Sequence, residues 1–360
     1  MNYYQILKPF LFTLDAETAH NLAIKILQYN LLPKPRVKEY PILKNNLWDI
    51  DFNNPVGMAA GFDKNAQIFT SLFDFGFGFV ECGTVTPKPQ AGNPKPRIFR
   101  LEEDEAIINR LGFNNKGLDH FKNNIKNYKI KRQIVGINIG KNKDTVQAID
   151  DYLLLLEQLY ELSSYITVNI SSPNTENLRD LQHANQLQQF LSQIMLKKQQ
   201  LLKNTGENRP LLLKIAPDLT KKQQQQIAEI ALQQQIDGLI ISNTTIGNRE
   251  KLISKYKNQN GGLSGKVLFK DSTLILKNIY NLTEGKIPLI GVGGIAGAKD
   301  AYKKIKAGAS LIQIYSAFIY QSFGLVESIK EQLAALIAKD GFENISQAIG
   351  VNSKKPSASQ

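Results

Sequence analysis

Amide, lysine and threonine side chains recur where short apolar segments of this 360-residue chain end. They are Lys64, Asn138, Asn169, Asn174, Lys214, Asn243 and Thr244. Each asparagine offers both a donor and an acceptor, and each lysine can neutralise an anion or a charge that develops during a reaction. Such a set suits a small planar ligand with several carbonyl and N–H groups. The sequence offers no Ser-His-Asp set and no GxxxxGKS/T phosphate loop, so hydrolysis and phosphoryl transfer have little support.

A glycine-rich segment at 290–296 follows an apolar run and formally matches the GxGxxA pattern of dinucleotide-binding folds. That interpretation requires an acidic residue at the end of the next strand, where the sequence has Gln313, Ile314, Tyr315 and Ser316. The glycine amides together with Tyr315 and Ser316 instead predict a site for one phosphate, as in a mononucleotide such as FMN. A simple tight turn is the alternative.

Composition argues against several other kinds of site. Cys82 is the only cysteine, which excludes an intrachain disulfide and a thiolate metal cluster, and we expect it to be a buried thiol. The histidines, His20, His120 and His183, are too far apart for a local metal motif, so we expect no metal. The net charge of +12 suits an anionic partner, but the basic residues are scattered and lack interleaved aromatics. No apolar run approaches the ~18 residues of a membrane span. The N-terminus lacks a charged region followed by an apolar stretch and a small-residue cleavage site, so the pattern does not indicate secretion.

The elements that must position these residues alternate from about residue 50 onward. Apolar segments predict strands at 56–60, 78–82, 134–139, 165–170, 211–215, 238–242, 288–292 and 310–314. Helical patterns cover 64–74, 114–127, 145–161, 184–203, 220–235, 270–282, 297–306 and 322–338, with Thr220 and Asp271 as capping candidates. This alternation predicts an α/β fold, a (β/α)8 TIM barrel, with a doubly wound sheet as the alternative. The barrel is favoured because only a barrel gathers all strand ends at one mouth.

Two insertions and an N-terminal segment complete the predicted architecture. Residues 87–109 indicate a loop and hairpin, and residues 244–269 a long loop, both covering the mouth. In residues 1–36, Tyr3, Leu7, Phe10, Leu11 and Leu14 share one helical face. Asp15 can then cap a second helix with Ala19, Leu22, Ala23, Ile26 and Leu27 on its face. Periodicity alone favours packing of this two-helix hairpin on the barrel over contact with a membrane.

Eight motifs in order resemble the dihydroorotate dehydrogenase family. They are 60–64 (AGFDK), 83–87 (GTVTP), 109–115 (NRLGFNN), 136–143 (GINIGKNK), 169–175 (NISSPNT), 214–219 (KIAPDL), 261–265 (GGLSG) and 291–295 (GVGGI). Class 2 members of that family have an N-terminal hairpin, a serine base and a quinone acceptor, whereas class 1 members lack the hairpin and use a cysteine. Ser172 and residues 1–36 therefore make the chain similar to class 2, the quinone-dependent class.

The resemblance implies a domain organisation and a location. Residues 1–36 would form a membrane-bound quinone entrance, residues 45–338 an FMN-binding barrel, and residues 339–360 a tail. The protein would be a peripheral membrane protein on the cytoplasmic face of the cell membrane. Its partners would be dihydroorotate and ubiquinone or menaquinone, with no nucleic acid.

The resemblance also implies site residues. FMN would contact Ala60, Gly61, Phe62, Asp63, Lys64, Thr84, Asn138, Asn169, Lys214, Ser242, Gly265, Gly294, Tyr315 and Ser316. The substrate would contact Lys64, Asn109, Arg110, Leu111, Gly112, Phe113, Asn169, Asn174, Asn243 and Thr244. Ser242 departs from the family, which has threonine there. Ser172 would remove the C5 proton of (S)-dihydroorotate while hydride leaves C6, with Thr175 as a candidate proton relay and Lys214 stabilising the reduced flavin.

Two other functions remain open from the sequence. A dihydrouridine synthase is a similarly built FMN barrel that acts on RNA, in keeping with the positive charge. It would require a catalytic cysteine on a loop, whereas Cys82 follows a strand and Ser172 occupies the matching position. A purely structural or binding role is the third hypothesis.

Overall fold

The computed structural model describes residues 3–126, 133–321 and 323–353, and within those ranges the side chains from residue 8 onward. The chain begins with helices α1 (Tyr3–Thr13) and α2 (Ala16–Gln28), which confirms the predicted N-terminal helices. Asp15 caps α2 as expected, because its carboxylate accepts hydrogen bonds from the N–H groups of Glu17 and Thr18. Tyr3 and Leu7 were predicted to lie on the apolar face of α1, but their side chains are not among those that the structure describes.

Strands of three kinds follow: a short N-terminal pair, the barrel strands and a separate lid. In chain order they are β1 (Asn45–Leu47), β2 (Ile50–Phe52), β3 (Val56–Met58), β4 (Phe79–Val85), β5 (Ile98–Leu101), β6 (Ala106–Asn109), β7 (Ile134–Ile139), β8 (Tyr165–Asn169), β9 (Leu211–Ile215), β10 (Gly238–Ile241), β11 (Gly262–Gly265), β12 (Leu289–Val292) and β13 (Ala309–Ile314). Every predicted barrel strand is present. The bounds of β7 and β9 match the prediction, and the ends of the other strands differ from it by at most three residues.

Eight of these strands close into a parallel barrel in the order β3, β4, β7, β8, β9, β10, β12 and β13, with β13 pairing back to β3. The predicted (β/α)8 barrel is therefore confirmed, and the doubly wound sheet is wrong. The register pairs Gly83 with Asn138 and Asn169 with Lys214, so polar strand ends from different parts of the chain lie side by side.

The barrel interior is filled in layers. At the amino-terminal end, Phe52 packs edge-to-face on Phe79, with ring centroids 5.5 Å apart. Above it lie the fully buried rings of Phe79 and Tyr165. The small residues Gly57 and Gly136 make room for those rings, since a Cβ at Gly136 would lie 2.1 Å from Tyr165 and one at Gly57 2.3 Å from Phe79. The packed interior leaves only the carboxyl ends of the strands open to a ligand.

The helices that surround the barrel largely follow the predicted periodicity. In chain order they are α3 (Phe69–Phe73), α4 (Gly117–Lys126), α5 (Ala148–Leu159), α6 (Ala184–Thr205), α7 (Lys221–Gln233), α8 (Phe269–Leu282), α9 (Ala298–Lys306), α10 (Ser316–Gln321), α11 (Leu325–Lys339) and α12 (Ile345–Ala348). Residue 127 of the predicted helix 114–127 and residue 322 of the predicted helix 322–338 lie outside the described residues. Within them, no helix combines the length and the apolar character needed to cross a membrane.

Some predicted helix boundaries are wrong, for identifiable reasons. The helix expected at 64–74 is confined to α3, because the Asp63 carboxylate accepts hydrogen bonds from Gln67 N and Ile68 N and holds the preceding residues in turns. The helix predicted at 322–338 corresponds to α11, and a separate short helix, α10, precedes it. Thr220 caps α7 through a capping box with Gln223, as predicted. Asp271 does not cap α8, which begins two residues earlier, and instead accepts a hydrogen bond from the Asn248 side chain.

The two insertions meet in one antiparallel sheet over the mouth of the barrel, with strand order β11, β6, β5. Residues 87–109 contain the expected hairpin, β5 and β6. The segment 244–269 is not a structureless loop, because β11 pairs with β6, Gly262 opposite Asn109. These partners are far apart in sequence, so local pattern could not reveal the pairing.

Part of the predicted C-terminal tail packs on the barrel. Ile345 and Ala348 of α12 are fully buried, and Gly350 N donates a hydrogen bond to Ile305 O at the end of α9. Residues 354–360 lie outside the described residues. Among the described residues, the helices and the lid enclose a deep cavity above the strand ends.

Candidate active site

The cavity lies between the carboxyl ends of the barrel strands, the lid sheet and the N-terminal hairpin. It is lined by nearly all predicted site residues: Ala60, Gly61, Phe62, Lys64, Thr84, Asn109, Leu111, Gly112, Phe113, Asn169, Ser172, Asn174, Lys214, Ser242, Asn243, Thr244, Gly265, Gly294, Tyr315 and Ser316. Asp63, Asn138 and Arg110 are the exceptions. The cavity continues without interruption to the side chains of α1 and α2, including Phe12, Ala16 and His20.

A buried carboxylate organises the floor below this cavity. Glu81 of β4 is fully buried and accepts hydrogen bonds from Asn138 Nδ2 at 2.7 Å, Gln313 Nε2 at 2.8 Å and Tyr165 OH at 3.1 Å. Asn138 is therefore a support rather than a lining residue. Its amide orientation is set from below, and its Oδ1 accepts a hydrogen bond from Thr84 Oγ1 at 2.5 Å.

Asparagine side chains at neighbouring strand ends form a connected network. Asn169 Nδ2 donates to Thr84 Oγ1 at 3.2 Å and to Asn138 Oδ1 at 3.1 Å. Its Oδ1 accepts from Ser171 Oγ at 2.8 Å, and Ser171 Oγ also accepts from Asn243 Nδ2 at 2.9 Å. Because each amide is held by another, their donors and acceptors are oriented before a ligand arrives.

Two lysines bring positive charge to the cavity. Lys214 of β9 is 5% exposed, and no described residue forms a hydrogen bond to its Nζ. Burial lowers the pKa of Lys214, and the Glu81 charge partly opposes this. Burial also lowers the pKa of Lys64 to about 8, partly offset by Glu17 and Asp63. When protonated, either amine can pair with an anion or with negative charge that develops on a bound ring.

Ser172 lies in the turn after β8 and is 5% exposed. Its Oγ accepts a hydrogen bond from Asn174 N at 3.2 Å, and Asn174 Nδ2 donates to Asn109 O at 3.1 Å, which ties this turn to the lid. No described side chain forms a hydrogen bond with the Ser172 hydroxyl, so it has no histidine or carboxylate partner. Thr175 Oγ1 is buried without a hydrogen-bond partner.

Glycines form a cradle at the ends of β12 and β13. Gly293 and Gly294 have φ of +99° and +76°, and a Cβ at Gly294 would lie 2.4 Å from the Phe269 backbone. The cradle is supported from behind by Lys304, which is fully buried and donates to Val292 O at 3.2 Å. Ser316 Oγ lies 3.0 Å from Ser264 Oγ on the opposite wall. Backbone close to the cavity, with hydroxyls beside it, suits a phosphate group.

Two further predicted residues lie beside the cavity rather than in its lining. The Asp63 carboxylate is buried and occupied by the backbone of the α3 turn, and burial raises its pKa. The Arg110 guanidinium donates to Pro96 O at 2.8 Å and Gln259 Oε1 at 3.0 Å, and stacks 4.7 Å from the centroid of Phe99. Arg110 thus joins the two insertions, while its backbone belongs to the predicted substrate segment.

Sequence reasoning missed the polar residues between the hairpin and the barrel, chiefly His20, Arg100 and Tyr320. Arg100 donates to Leu11 O at 3.1 Å and Phe12 O at 3.0 Å at the end of α1. Burial and the nearby Lys64 charge lower the pKa of His20 to about 3, so this imidazole is neutral. One signal for Arg100 was available in the sequence. The mixed polar and apolar pattern of the stretch 97–101 predicts a strand with the Arg100 side chain on one of its two faces.

Cys82 has the buried environment that was expected of it. It is fully buried, and its Sγ lies 3.9 Å from Asp63 Oδ2. Burial, together with the Asp63 and Glu81 charges, raises the pKa of the thiol, which makes it a poor nucleophile. Among the described residues, no cluster of three or more His, Cys, Asp or Glu side chains could hold a metal ion.

Comparisons with known proteins agree with one another. The family model for dihydroorotate dehydrogenase matches residues 42–337. A relative from Azorhizobium caulinodans, named dihydroorotate dehydrogenase (quinone), is 46% identical over 354 residues, 98% of this chain and 99% of the relative. A protein of the same name from Rhodospirillum rubrum is 46% identical over 357 residues, 99% of this chain and 96% of the relative. The crystal structure of DHODH from Eimeria tenella in complex with ferulenol is 39% identical with a TM-score of 0.91, covering 95% of this chain and 96% of that one.

Proposed function

The chain belongs to the dihydroorotate dehydrogenase family, and from this premise we propose that it oxidises dihydroorotate to orotate in pyrimidine biosynthesis and passes the electrons to a quinone. One observation carries the proposal: a single cavity joins the polar strand ends to the N-terminal hairpin. Such a cavity can hold a redox cofactor between a polar substrate on one side and an apolar electron acceptor on the other.

The donor set fits a flavin mononucleotide. Lys214 presents a buried amine with no protein hydrogen bond, suited to the polar edge of a flavin ring. Asn169 and Thr84 offer oriented donors and acceptors beside it. The Gly293–Gly294 cradle and Ser316 suit one phosphate, which favours a mononucleotide over a dinucleotide. FMN supplies a two-electron acceptor when it is bound.

The substrate side is assigned to residues at or just after the ends of β6, β8 and β10. Asn109, Asn174 and Asn243 line the same part of the cavity and would bind the amide edges of dihydroorotate, while Lys64 would neutralise its carboxylate. The reaction removes a proton from C5 and a hydride from C6, and the C5–C6 double bond forms with the electron pair of the broken C5–H bond. These side chains contribute orientation, which lowers the entropic part of the barrier.

Ser172 is the proposed acceptor of the C5 proton. A serine hydroxyl is a weak base at its ordinary pKa, so it must pass its own proton onward as it accepts the substrate proton. The lid and the hairpin cover the site and leave Ser172 and Lys214 only 5% exposed, and this burial strengthens the electrostatic effect of nearby lysines on developing negative charge. Thr175, whose hydroxyl has no protein partner, is the proposed relay.

The hairpin is the proposed site of quinone entry and membrane contact. Its inner faces contribute Leu11, Phe12, Ala19 and Ala23 to the cavity, an apolar lining that suits a quinone ring and tail. Its outer surface leaves Phe10 71% exposed. Exposed apolar side chains beside basic ones favour peripheral binding to a bilayer, and we propose the cytoplasmic face of the cell membrane.

A dihydrouridine synthase activity has less support. That reaction would require a cysteine on a loop facing the substrate, whereas Cys82 lies within β4 and is fully buried. The curated relatives reported above carry the other name over nearly the whole chain.

Anaerobic mixing of the purified protein with (S)-dihydroorotate, monitored by flavin absorbance, tests the proposal. We expect rapid bleaching that a soluble ubiquinone analogue reverses and that fumarate or NAD does not. A yellow protein that does not bleach would contradict the proposed substrate, and a colourless protein that does not take up FMN would contradict the proposed cofactor.

A further inference from the structure

A buried ion pair joins the N-terminal hairpin to the lid, and the mechanism above does not use it. Glu17 in the first turn of α2 meets Arg97, which immediately precedes β5, with Arg97 Nη2 2.6 Å from Glu17 Oε1 and Arg97 Nε 3.0 Å from Glu17 Oε2. The two side chains are only 7% and 10% exposed. A two-point contact of this kind fixes the plane of the guanidinium.

The remaining nitrogen of Arg97 holds the loop that precedes β5. Nη1 donates to Ala91 O at 2.6 Å and to Asn93 O at 2.8 Å. The Arg97 guanidinium therefore donates to the hairpin through Nε and Nη2 and to the loop through Nη1. Since Arg97 needs Glu17 to compensate its buried charge, the loop conformation depends on the position of the hairpin.

The loop in turn contacts the segments assigned to the substrate. Asn93 N donates to Leu111 O at 3.1 Å, and Asn93 Nδ2 donates to Arg110 O at 3.0 Å and to Asn174 O at 3.3 Å. A bonded path thus runs from α2 through Arg97 and Asn93 to Leu111 and Asn174, both of which line the cavity.

We propose that Arg97, oriented by Glu17, is a positioning residue for the dihydroorotate side of the cavity, so that the seating of the hairpin controls substrate affinity as well as quinone access. The proposal rests on the function proposed above. A change in the pair alters the shape of the binding loop without touching the reacting atoms. It therefore acts on the Kd and KM for dihydroorotate and leaves the limiting rate of flavin reduction almost unchanged.

Glu17→Gln keeps the shape of the side chain and removes its charge. Because Glu17 also raises the pKa of Lys64, affinities are compared at pH 6.5, well below that pKa of about 8. We expect an increase of about tenfold in the dihydroorotate concentration needed for half-maximal flavin reduction, with a limiting rate within about twofold of the parent protein. Faster amide hydrogen exchange at residues 89–97 and 110–114 should accompany it. Arg97→Lys keeps the charge but loses the fork, and we expect an intermediate effect.

Lys34→Ala is the matched control. Lys34 lies after α2, near the end of the N-terminal segment, and forms an ion pair with Asp74 at 2.8 Å, a link to the barrel that does not reach the lid. Its loss should leave substrate affinity and exchange at residues 89–97 unchanged.

Three results would overturn the inference: unchanged affinity and exchange in Glu17→Gln, a fall in the limiting rate with unchanged affinity, or an equal effect of Lys34→Ala. If the parent protein is not reduced by dihydroorotate, the proposed function fails instead. The exchange measurement still tests the link between hairpin and lid in that case, because it requires no substrate.

Discussion

At the scale of single residues, the site depends on side chains whose charge and orientation are set by burial. Glu81 lies under the strand ends and holds Asn138 and Gln313 through hydrogen bonds, so these amides cannot rotate freely. Lys64 and Lys214 face the cavity with lowered pKa values, because the folded protein surrounds them with little water. The chemistry of each residue type is readable from the sequence, whereas its protonation behaviour follows from packing.

Lys64 leads to a prediction about pH. Its pKa of about 8 means that the amine is protonated at pH 7 and loses its charge above pH 8. Loss of a cation weakens the binding of an anion, so orotate affinity should be constant well below pH 8 and fall above it, by about tenfold per pH unit at most. Titration of the flavin spectrum with orotate between pH 6.5 and 9.5 measures this, and Lys64→Met should remove the pH dependence. An affinity that rises with pH in the parent protein would contradict the role of Lys64.

Ser172 leads to a prediction about rate. Ser172→Ala removes the proposed proton acceptor and one local hydrogen bond, the one that its hydroxyl accepts from Asn174 N. Anaerobic flavin reduction by dihydroorotate should slow by about 100-fold or more. FMN content and orotate affinity should be retained, and they serve as controls for folding. Unchanged flavin reduction would remove Ser172 from the role of base.

At the scale of elements, the N-terminal hairpin has two different faces. The inner face contributes to the cavity, and Leu27 of α2 is buried against the barrel. The outer surface carries Phe10, Tyr29 and Leu31, which are 71%, 70% and 68% exposed. Concentration of exposed apolar groups on one element is typical of a surface that binds a membrane or a partner.

The outer surface of the hairpin leads to a prediction about membrane binding. Replacing Phe10, Tyr29 and Leu31 together with serine should abolish co-sedimentation with anionic lipid vesicles and raise the KM for a membrane-embedded quinone. Flavin reduction by dihydroorotate in solution should not change, because these exposed side chains do not line the cavity. Serine at Val146, Leu196 and Ile253, which are exposed elsewhere, is the matched control. Vesicle binding that survives the triple change would contradict the membrane role of the hairpin.

At the scale of the whole molecule, the residues that stabilise the barrel and the residues of the site lie at opposite ends of the barrel axis. The amino-terminal end is closed by β1, β2 and a layer of aromatic rings, and the carboxyl end holds the site. The polar residues around Glu81 lie between the ring layer and the site. Glu81 accepts hydrogen bonds from Tyr165 of the ring layer and from Asn138 below the cavity, so it connects the rings to the amides above them. Changes in the ring layer should therefore affect the site through global stability rather than through contact with a ligand.

Gly136 leads to a prediction about stability. A Cβ at Gly136 would lie 2.1 Å from the Tyr165 ring, which is itself packed on Phe79 and bonded to Glu81. Gly136→Ala should lower the free energy of unfolding by about 1–3 kcal/mol, measured by chemical denaturation. Gly297→Ala is the control, because its backbone is extended and a Cβ there meets nothing within 4 Å. Equal stability of the two variants would contradict the tight packing of the ring layer.

The sequence by itself determined the fold class, the eight strand–helix units and, through the family resemblance, a set of site residues of which nearly all line the cavity. The reason is that buried parallel strands have a recognisable apolar pattern, and a barrel necessarily brings their carboxyl ends together. The family resemblance rested on residues at those same ends, such as Asn169, Ser172 and Lys214.

Only the tertiary structure decided which residues line the cavity and which support it. Asp63 and Asn138 were both predicted to contact FMN, yet the Asp63 carboxylate closes a turn and the Asn138 amide lies below the floor of the cavity. The pairing of β11 with β6 and the Glu17–Arg97 contact were likewise invisible, the latter spanning 80 residues. Local pattern records what a residue and its near neighbours prefer, whereas contacts between distant segments depend on how the completed barrel brings them together.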